Sequence, residues 1–262
     1  RVLAKYAMLE EIPIEIKGNY DLAELLYSFP LKITNTDLQK LIDILEPIAP
    51  RLYSVASSNA AHNEEVHLTV ARTVFYKNGI KKYGLASEYL ANLPTGTAID
   101  FYVQKNNAFH LPPEEADMIM IGPGTGIAPF RAFIAERDAS GAQGRNWLFF
   151  GDQHFHSDFL YQTELQNYME MGVLTKLDVA FSRDTNQKVY VQHKMKNQSR
   201  ELFEWLQGGA YFYVCGSKFP MSVDVENTLL EIIAEQGLFT KEEAKTYLND
   251  LKEAGRYLKD VY

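Results

Sequence analysis

Met118-Ile-Met-Ile-Gly-Pro-Gly-Thr-Gly-Ile-Ala-Pro-Phe-Arg131 passes from a four-residue apolar run, through three glycines, into a segment with proline near its start. A short apolar run bounded by glycine is the pattern of a strand buried on both faces, and proline is pre-organised for the first turn of a helix. The stretch predicts strand, tight turn, helix. Backbone amides free of side chains, together with the positive helix end near Ile127, suit a pyrophosphate at Gly124 and Thr125. The spacing departs from G-x-G-x-x-G, because the third glycine comes one residue early. No acidic residue about twenty positions on obviously serves a ribose hydroxyl. A tight turn without a ligand stays open as the alternative reading.

Working outward, further apolar runs at Trp147–Phe150, Leu177–Phe181 and Tyr211–Val214 alternate with helical patterns near 127–137, 158–170, 200–207 and 221–236. Strand alternating with helix predicts a doubly wound parallel sheet covered on both faces, an α/β domain over 114–262. Thr240-Lys-Glu-Glu243 is a capping box opening a last helix that Gly255 stops, and Tyr257-Leu-Lys-Asp-Val-Tyr262 reads as a final strand. Ligands of open sheets lie beyond the carboxyl ends of the strands, so 122–126, 151–156, 182–188, 215–219 and Tyr262 are expected around one cleft. Upstream, Glu65–Arg72 and Ala98–Gln104 alternate with period two, and Asn78-Gly79 is a hairpin-type turn. That predicts part of an antiparallel β-barrel over 51–113. Residues 1–50 read as helical, with apolar residues three and four apart in Asp21–Tyr27 and Thr36–Leu45 and closure at Pro47 and Pro50.

Ser182-Arg183, with Lys188, Tyr190 and Gln192 following, groups two cations, two hydroxyl types and an amide within eleven residues. Such a set pairs with a phosphate monoester while a tyrosine face covers an adenine, although a solvated loop has the same composition. The single cysteine, Cys215, follows the fourth apolar run; it reads either as a structural core thiol or as a small polarisable group beside a nicotinamide. Arg51-Leu-Tyr-Ser54 and Gly84-Leu-Ala-Ser87 offer a second anion site in the β region, for which the plainer reading of Tyr53, Phe75 and Tyr76 is barrel core. The histidines show no zinc-type spacing, so no metal is expected. Twenty-six Lys and Arg against 34 Asp and Glu give a net charge of −8, which argues against nucleic acid and anionic membranes as partners. One cysteine and no apolar run near the ~18 residues that span a bilayer point to a cytoplasmic protein.

The order of these motifs resembles the ferredoxin-NADP reductase module of diflavin reductases. The likeness rests on Arg51–Ser58, Gly84–Ser87, Ile121–Arg131, Ser182-Arg183, Lys188–Gln192, Tyr213–Gly216 and Asp260–Tyr262. It implies FAD held by Arg51, Leu52, Tyr53, Ser54, Thr69, Val70, Ala71, Phe75, Gly84, Leu85, Ala86 and Ser87, with Tyr262 covering the isoalloxazine until nicotinamide displaces it. It implies NADPH held by Gly124, Thr125, Ser182, Arg183, Lys188, Val189, Tyr190, Val191, Gln192 and Asp224. Ser54, Cys215 and Asp260 match the set that assists hydride transfer. Phe75 departs from the pattern where relatives carry a tyrosine. The ending Asp-Val-Tyr, where microsomal NADPH-cytochrome reductases usually carry tryptophan, favours the branch whose electrons pass through FMN to a haemoprotein subunit that reduces sulfite to sulfide. The resemblance further implies an FMN-binding flavodoxin-like domain and early barrel strands outside this chain, weak FAD binding by this piece alone, and a hetero-oligomer. A diflavin reductase with another haemoprotein acceptor, and a non-catalytic NADP-binding or assembly fragment, are the competing expectations.

Overall fold

The computed structural model describes residues 45–77 and 79–262, together with Glu24, Tyr27, Gln39, Lys40, Ile42 and Asp43. Those six isolated residues before Leu45 are helical, and the rest of the two helices expected over 21–45 lies outside the described residues, as does Asn78 of the expected turn. Contacts divide the chain into Arg1–Arg51 and Leu52–Tyr262.

In the second unit the elements run α1 (Asn59–His62), β1 (Val74–Lys77), β2 (Ile80–Tyr83), α2 (Leu85–Ala91), β3 (Met118–Ile121), α3 (Ala128–Ser140), β4 (Asn146–Asp152) and α4 (Phe155–Asp158). They continue with α5 (Gln162–Glu170), β5 (Lys176–Phe181), α6 (Val191–Asn197), α7 (Ser199–Gln207), β6 (Tyr211–Gly216), α8 (Val223–Gly237), α9 (Lys241–Glu253) and β7 (Tyr257–Val261). Five strands form one sheet in the order β5-β4-β3-β6-β7, and every pairing is parallel. The expected doubly wound sheet is there, and all four residues of β3 are buried. Side chains alternate across it: Ile119, Ile121, Trp147 and Phe149 pack beneath α6 to α9, whereas Met118, Met120, Leu148 and Phe150 pack against α3 and α5. Each such side chain contributes about 1.5–3 kcal/mol by leaving water. The chain builds β3, β4 and β5 outward on one side, then crosses back to lay β6 on the other side of β3. The crevice between β3 and β6 is therefore the switch point where open sheets bind ligands.

The β region is sparser than its alternation suggests. Only the β1–β2 hairpin pairs fully, Val74 opposite Tyr83 through Lys77 opposite Ile80. Glu65–Arg72 makes a single bridge, Leu68 to Val55, and Ala98–Gln104 forms no strand. A strand is a pairing and not a local state: among the described residues the backbone of Glu65–Arg72 pairs only with residues 55–57, and no strand lies alongside Ala98–Gln104. Phe75 and Tyr76 are 45% and 72% exposed, so they are not barrel core. Three short helices were not anticipated: α1, α4 and α6, the last opening on Tyr190, whose N–H donates to His193 Nδ1 (2.9 Å). The Thr240 capping box forms as expected, with Thr240 N–H donating to Glu243 Oε2 (2.7 Å) and Glu243 N–H to Thr240 Oγ1 (3.3 Å).

Candidate functional site

The turn after β3 is fixed by close approach. A Cβ on Gly122 would lie 2.5 Å from the Phe130 ring, and one on Gly126 would lie 2.1 Å from the Cys215 carbonyl oxygen. Hydrogen alone fits at both positions, which lets the turn lie against the end of β6. Gly124 is demanded instead by its backbone, with φ +57°, and a Cβ there would meet nothing nearer than Asp152 Oδ2 at 3.9 Å. A 3-10 turn over Gly124–Ile127 leads directly into α3, so the opening amides, which lack intrahelical acceptors, sit at the switch point. Burial raises the Asp152 carboxyl above the usual carboxylate range, opposed by the Gln153 N–H that it accepts.

Across the crevice, β6 and β7 set Cys215 opposite Asp260 and Gly216 opposite Val261. Ser54 Oγ donates to Asp260 Oδ2 at 2.9 Å, and Asn106 Nδ2 reaches Oδ1 at 3.5 Å. The Cys215 thiol is fully buried; burial, reinforced by the charge of Asp260 and opposed by a hydrogen bond with Ser54, pushes it up to about 12. It is a neutral thiol at neutral pH. Tyr262 is tied down on both sides, its N–H donating to Gly216 O (3.1 Å) and its carbonyl accepting from Lys218 N–H (2.8 Å). Its phenol bonds Thr125 Oγ1 at 2.8 Å, closing the crevice from β7 to the glycine turn. Burial raises that phenol, partly offset by Thr125. A hydroxyl, a thiol, a carboxylate and a phenol thus meet where β3, β6 and β7 end. Of the residues expected here, Ser54, Thr125, Cys215, Asp260 and Tyr262 are brought together.

At the β5 edge, Ser182 N–H and Oγ both donate to the Asp152 carbonyl (2.9 and 3.3 Å), and Arg183 N–H donates to Gln153 O (2.9 Å). These bonds fasten the loop after β5 to the end of β4. Asp184 tightens the junction by accepting from Phe155 N–H (2.8 Å) and His154 Nδ1 (3.1 Å), and these bonds hold its carboxyl below the usual range. The Arg183 and Lys188 side chains are exposed and form no ion pair among the described residues. Val189 is half-buried and Val191 buried, Tyr190 is exposed and stacks on His193 with ring centres 5.8 Å apart, and Gln192 Nε2 donates to Asp224 Oδ2 at 3.4 Å.

The residues expected to line FAD are less uniform. Arg51 is exposed and donates to the Ala49 carbonyl at 2.7 Å. Leu52 and Phe75 are exposed, Ala71 and Leu85 likewise, while Tyr53, Thr69, Val70, Gly84 and Ala86 are half-buried. The Thr69 hydroxyl bonds Tyr161 OH at 2.7 Å. Ser87 Oγ is buried, accepting from Thr73 N–H (3.0 Å) and donating to Gly84 O (3.1 Å), so it serves the turn into α2. Among the described residues no group of three or more His, Cys, Asp or Glu could hold a metal ion. None of the described helices is long and apolar enough to cross a membrane.

Two family models match: one described as "FAD binding domain" over residues 10–89, the other as "Oxidoreductase NAD-binding domain" over 120–227. The chain is 49% identical over 256 residues to the sulfite reductase [NADPH] flavoprotein alpha-component of Bacillus subtilis (strain 168), covering 97% of this chain and 42% of that protein. The chain belongs to the diflavin reductase family. Proteins of the same description from Shewanella sp. (strain MR-7) and Vibrio vulnificus (strain CMCP6) are 48% and 47% identical, covering 93% and 95% of this chain and 41% and 40% of theirs. The chain therefore spans about two fifths of the length of these relatives. The diflavin reductase module present is the FAD- and NAD-binding part, and its residues fit those groups. The glycine turn is open at Gly124, where a Cβ would meet nothing nearer than Asp152 Oδ2 at 3.9 Å, and the exposed cations Arg183 and Lys188 stand on a loop fastened to the same sheet end. Arg131, quoted only as part of the glycine motif, turns out to be buried and densely bonded, a role that no spacing rule signals.

Proposed function

We propose that this chain is the NADPH- and FAD-binding part of a cytoplasmic NADPH-dependent flavoprotein reductase, the flavoprotein component of an assimilatory sulfite reductase. When bound, the nicotinamide and flavin rings would supply the hydride chemistry, and the acceptor chain proposed is FMN on a flavodoxin-like domain and then a haemoprotein subunit that reduces sulfite to sulfide. The reading is carried by the convergence of Ser54, Cys215, Asp260 and Tyr262 on the glycine turn at the switch point.

The chain's own residues position and stabilise. The amides from Gly124 and Thr125 into α3 would hold the NADPH diphosphate, and Ser182, Arg183, Lys188, Tyr190 and Gln192 its 2′-phosphate and adenine. Asp260 would hold negative charge against a nicotinamide that becomes cationic, an electrostatic role fixed in place by the Ser54 hydroxyl. Cys215 stays protonated and small, filling the floor of the crevice without adding charge. Tyr262 would shield the flavin ring until a nicotinamide takes its place, and Arg51, Tyr53 and the first turn of α2 would bind the rest of FAD.

Anaerobic NADPH added to the full-length protein should bleach a flavin absorbance, and adding the haemoprotein should make NADPH oxidation depend on sulfite. Absence of flavin, or flavin indifferent to NADPH, would refute the reductase reading. Bleaching without sulfite dependence would assign the module to another haemoprotein acceptor.

A further inference from the structure

Arg131 lies in the first turn of α3, directly after the glycine turn, and is 8% exposed. All five of its N–H donors are used. Nε and Nη2 both donate to Glu164 Oε2 on α5 (3.0 and 2.9 Å), Nη1 donates to the Ala56 carbonyl (2.6 Å) and to His67 Nδ1 (2.8 Å), and Nη2 reaches His62 Nε2 at 3.4 Å. The guanidinium also lies over the Tyr161 ring, 4.7 Å from its centre, and Tyr161 OH bonds Thr69.

Both histidines bridge the guanidinium to neighbouring groups. His67 Nδ1 lies 2.8 Å from Arg131 Nη1, and its Nε2 lies 2.7 Å from Glu65 Oε2. His62 Nε2 lies 3.4 Å from Arg131 Nη2, and its Nδ1 lies 3.2 Å from both the N–H and the carbonyl of Ser58. The charge of Arg131 is answered by Glu164, with Glu65 and Glu136 nearby through His67 and Ser58.

What Arg131 grips is the segment that carries Ser54. Ala56 N–H donates to His67 O (2.8 Å), Val55 bridges Leu68, and His67 N–H donates to Ser57 Oγ (3.0 Å), so residues 54–57 and 65–69 form a small clip. Arg131 holds both arms of that clip from the helix that begins at the glycine turn. Two residues before Ala56, Ser54 meets Asp260 and Cys215. We infer that Arg131 is a positioning residue that sets Ser54 against Asp260 and Cys215 and so holds the flavin-side segment in register with the nicotinamide-side crevice. Lysine cannot replace it, having three donors on a point charge where five in a planar fork are used.

The inference rests on the proposed reductase reading, and the test separates the two. In the full-length protein, Arg131→Lys should slow flavin bleaching at saturating NADPH at least tenfold, while the Kd for 2′,5′-ADP stays within twofold, because Arg183 and Lys188 stand on the distant β5 loop. Labelling of Cys215 by a maleimide, located by peptide mass spectrometry, should speed up at least tenfold under native conditions while the global unfolding midpoint moves little. Glu164→Gln, which keeps the packing, should change both readouts in the same direction by a smaller factor and covers the case in which Arg131→Lys fails to fold. Unchanged bleaching with Cys215 still protected would overturn the inference, as would a loss of 2′,5′-ADP binding and stability equal to the loss of rate. If the wild-type flavin itself ignores NADPH, the reductase reading has failed, and the labelling ratio alone then decides whether Arg131 holds the clip.

Discussion

At the residue scale the useful charges are few and local. The Arg183 side chain is exposed and forms no ion pair among the described residues, so replacing it breaks no internal ion pair. Arg183→Ala should weaken NADPH by ~1–3 kcal/mol, the worth of a charged hydrogen bond, and leave NADH nearly unchanged. Equal losses in the two Kd values would refute the 2′-phosphate role. Cys215 gives a pH-dependent expectation. Its thiol is raised from 9.0 to about 12 on folding, so the folded state favours the protonated form. Stability from this group is fully present below about pH 9 and is lost as pH climbs towards 12, by about 1.4 kcal/mol per pH unit. Urea unfolding at pH 8 and pH 10.5 should show a steeper loss for the wild type than for Cys215→Ser. Parallel losses would contradict it.

At the element scale, the β3–turn–α3 unit joins binding to architecture. Gly126→Ala would drive a methyl group into the Cys215 carbonyl 2.1 Å away, and β6 cannot recede without disturbing its pairing with β3. We expect a loss of about 1–3 kcal/mol from overpacking, read as a lower denaturation midpoint, together with weaker binding of 2′,5′-ADP. A variant with wild-type stability would mean that the turn is not seated as described. This unit was legible because its signals are local: four apolar residues, glycines and an early proline specify strand, turn and helix without outside help. The five parallel strands were legible for the same reason. Glu65–Arg72 and Ala98–Gln104 were misread because alternation says only that a segment could pair, while pairing depends on what lies alongside. The α6 helix escaped notice because seven residues with polar neighbours carry little periodic signal. Cys215 and Ser54 were singled out from their own segments, but the bond between Ser54 and Asp260 was not legible locally, since 206 positions separate the two. The Arg131 network was invisible for the same reason, with acceptors up to 75 positions away.

At the scale of the whole molecule, a net charge of −8 coexists with exposed cations, Arg183 and Lys188, on a loop at the same end of the sheet as the glycine turn. Ligand binding to that end should stabilise the folded state by mass action. At 100 times its Kd, 2′,5′-ADP should raise the unfolding free energy by about 2.7 kcal/mol, and Arg183→Ala should abolish most of that gain at the same concentration. The central claim is that the crevice between β3, β6 and β7 is where the two cofactor rings meet. Stopped-flow bleaching of the flavin by NADPH, comparing the full-length wild type with Asp260→Asn, tests it most directly. The account predicts prompt bleaching in the wild type and a rate about 10²–10³-fold lower in the variant at saturating NADPH, with the Kd for 2′,5′-ADP unchanged. Equal bleaching rates in the two proteins would contradict it.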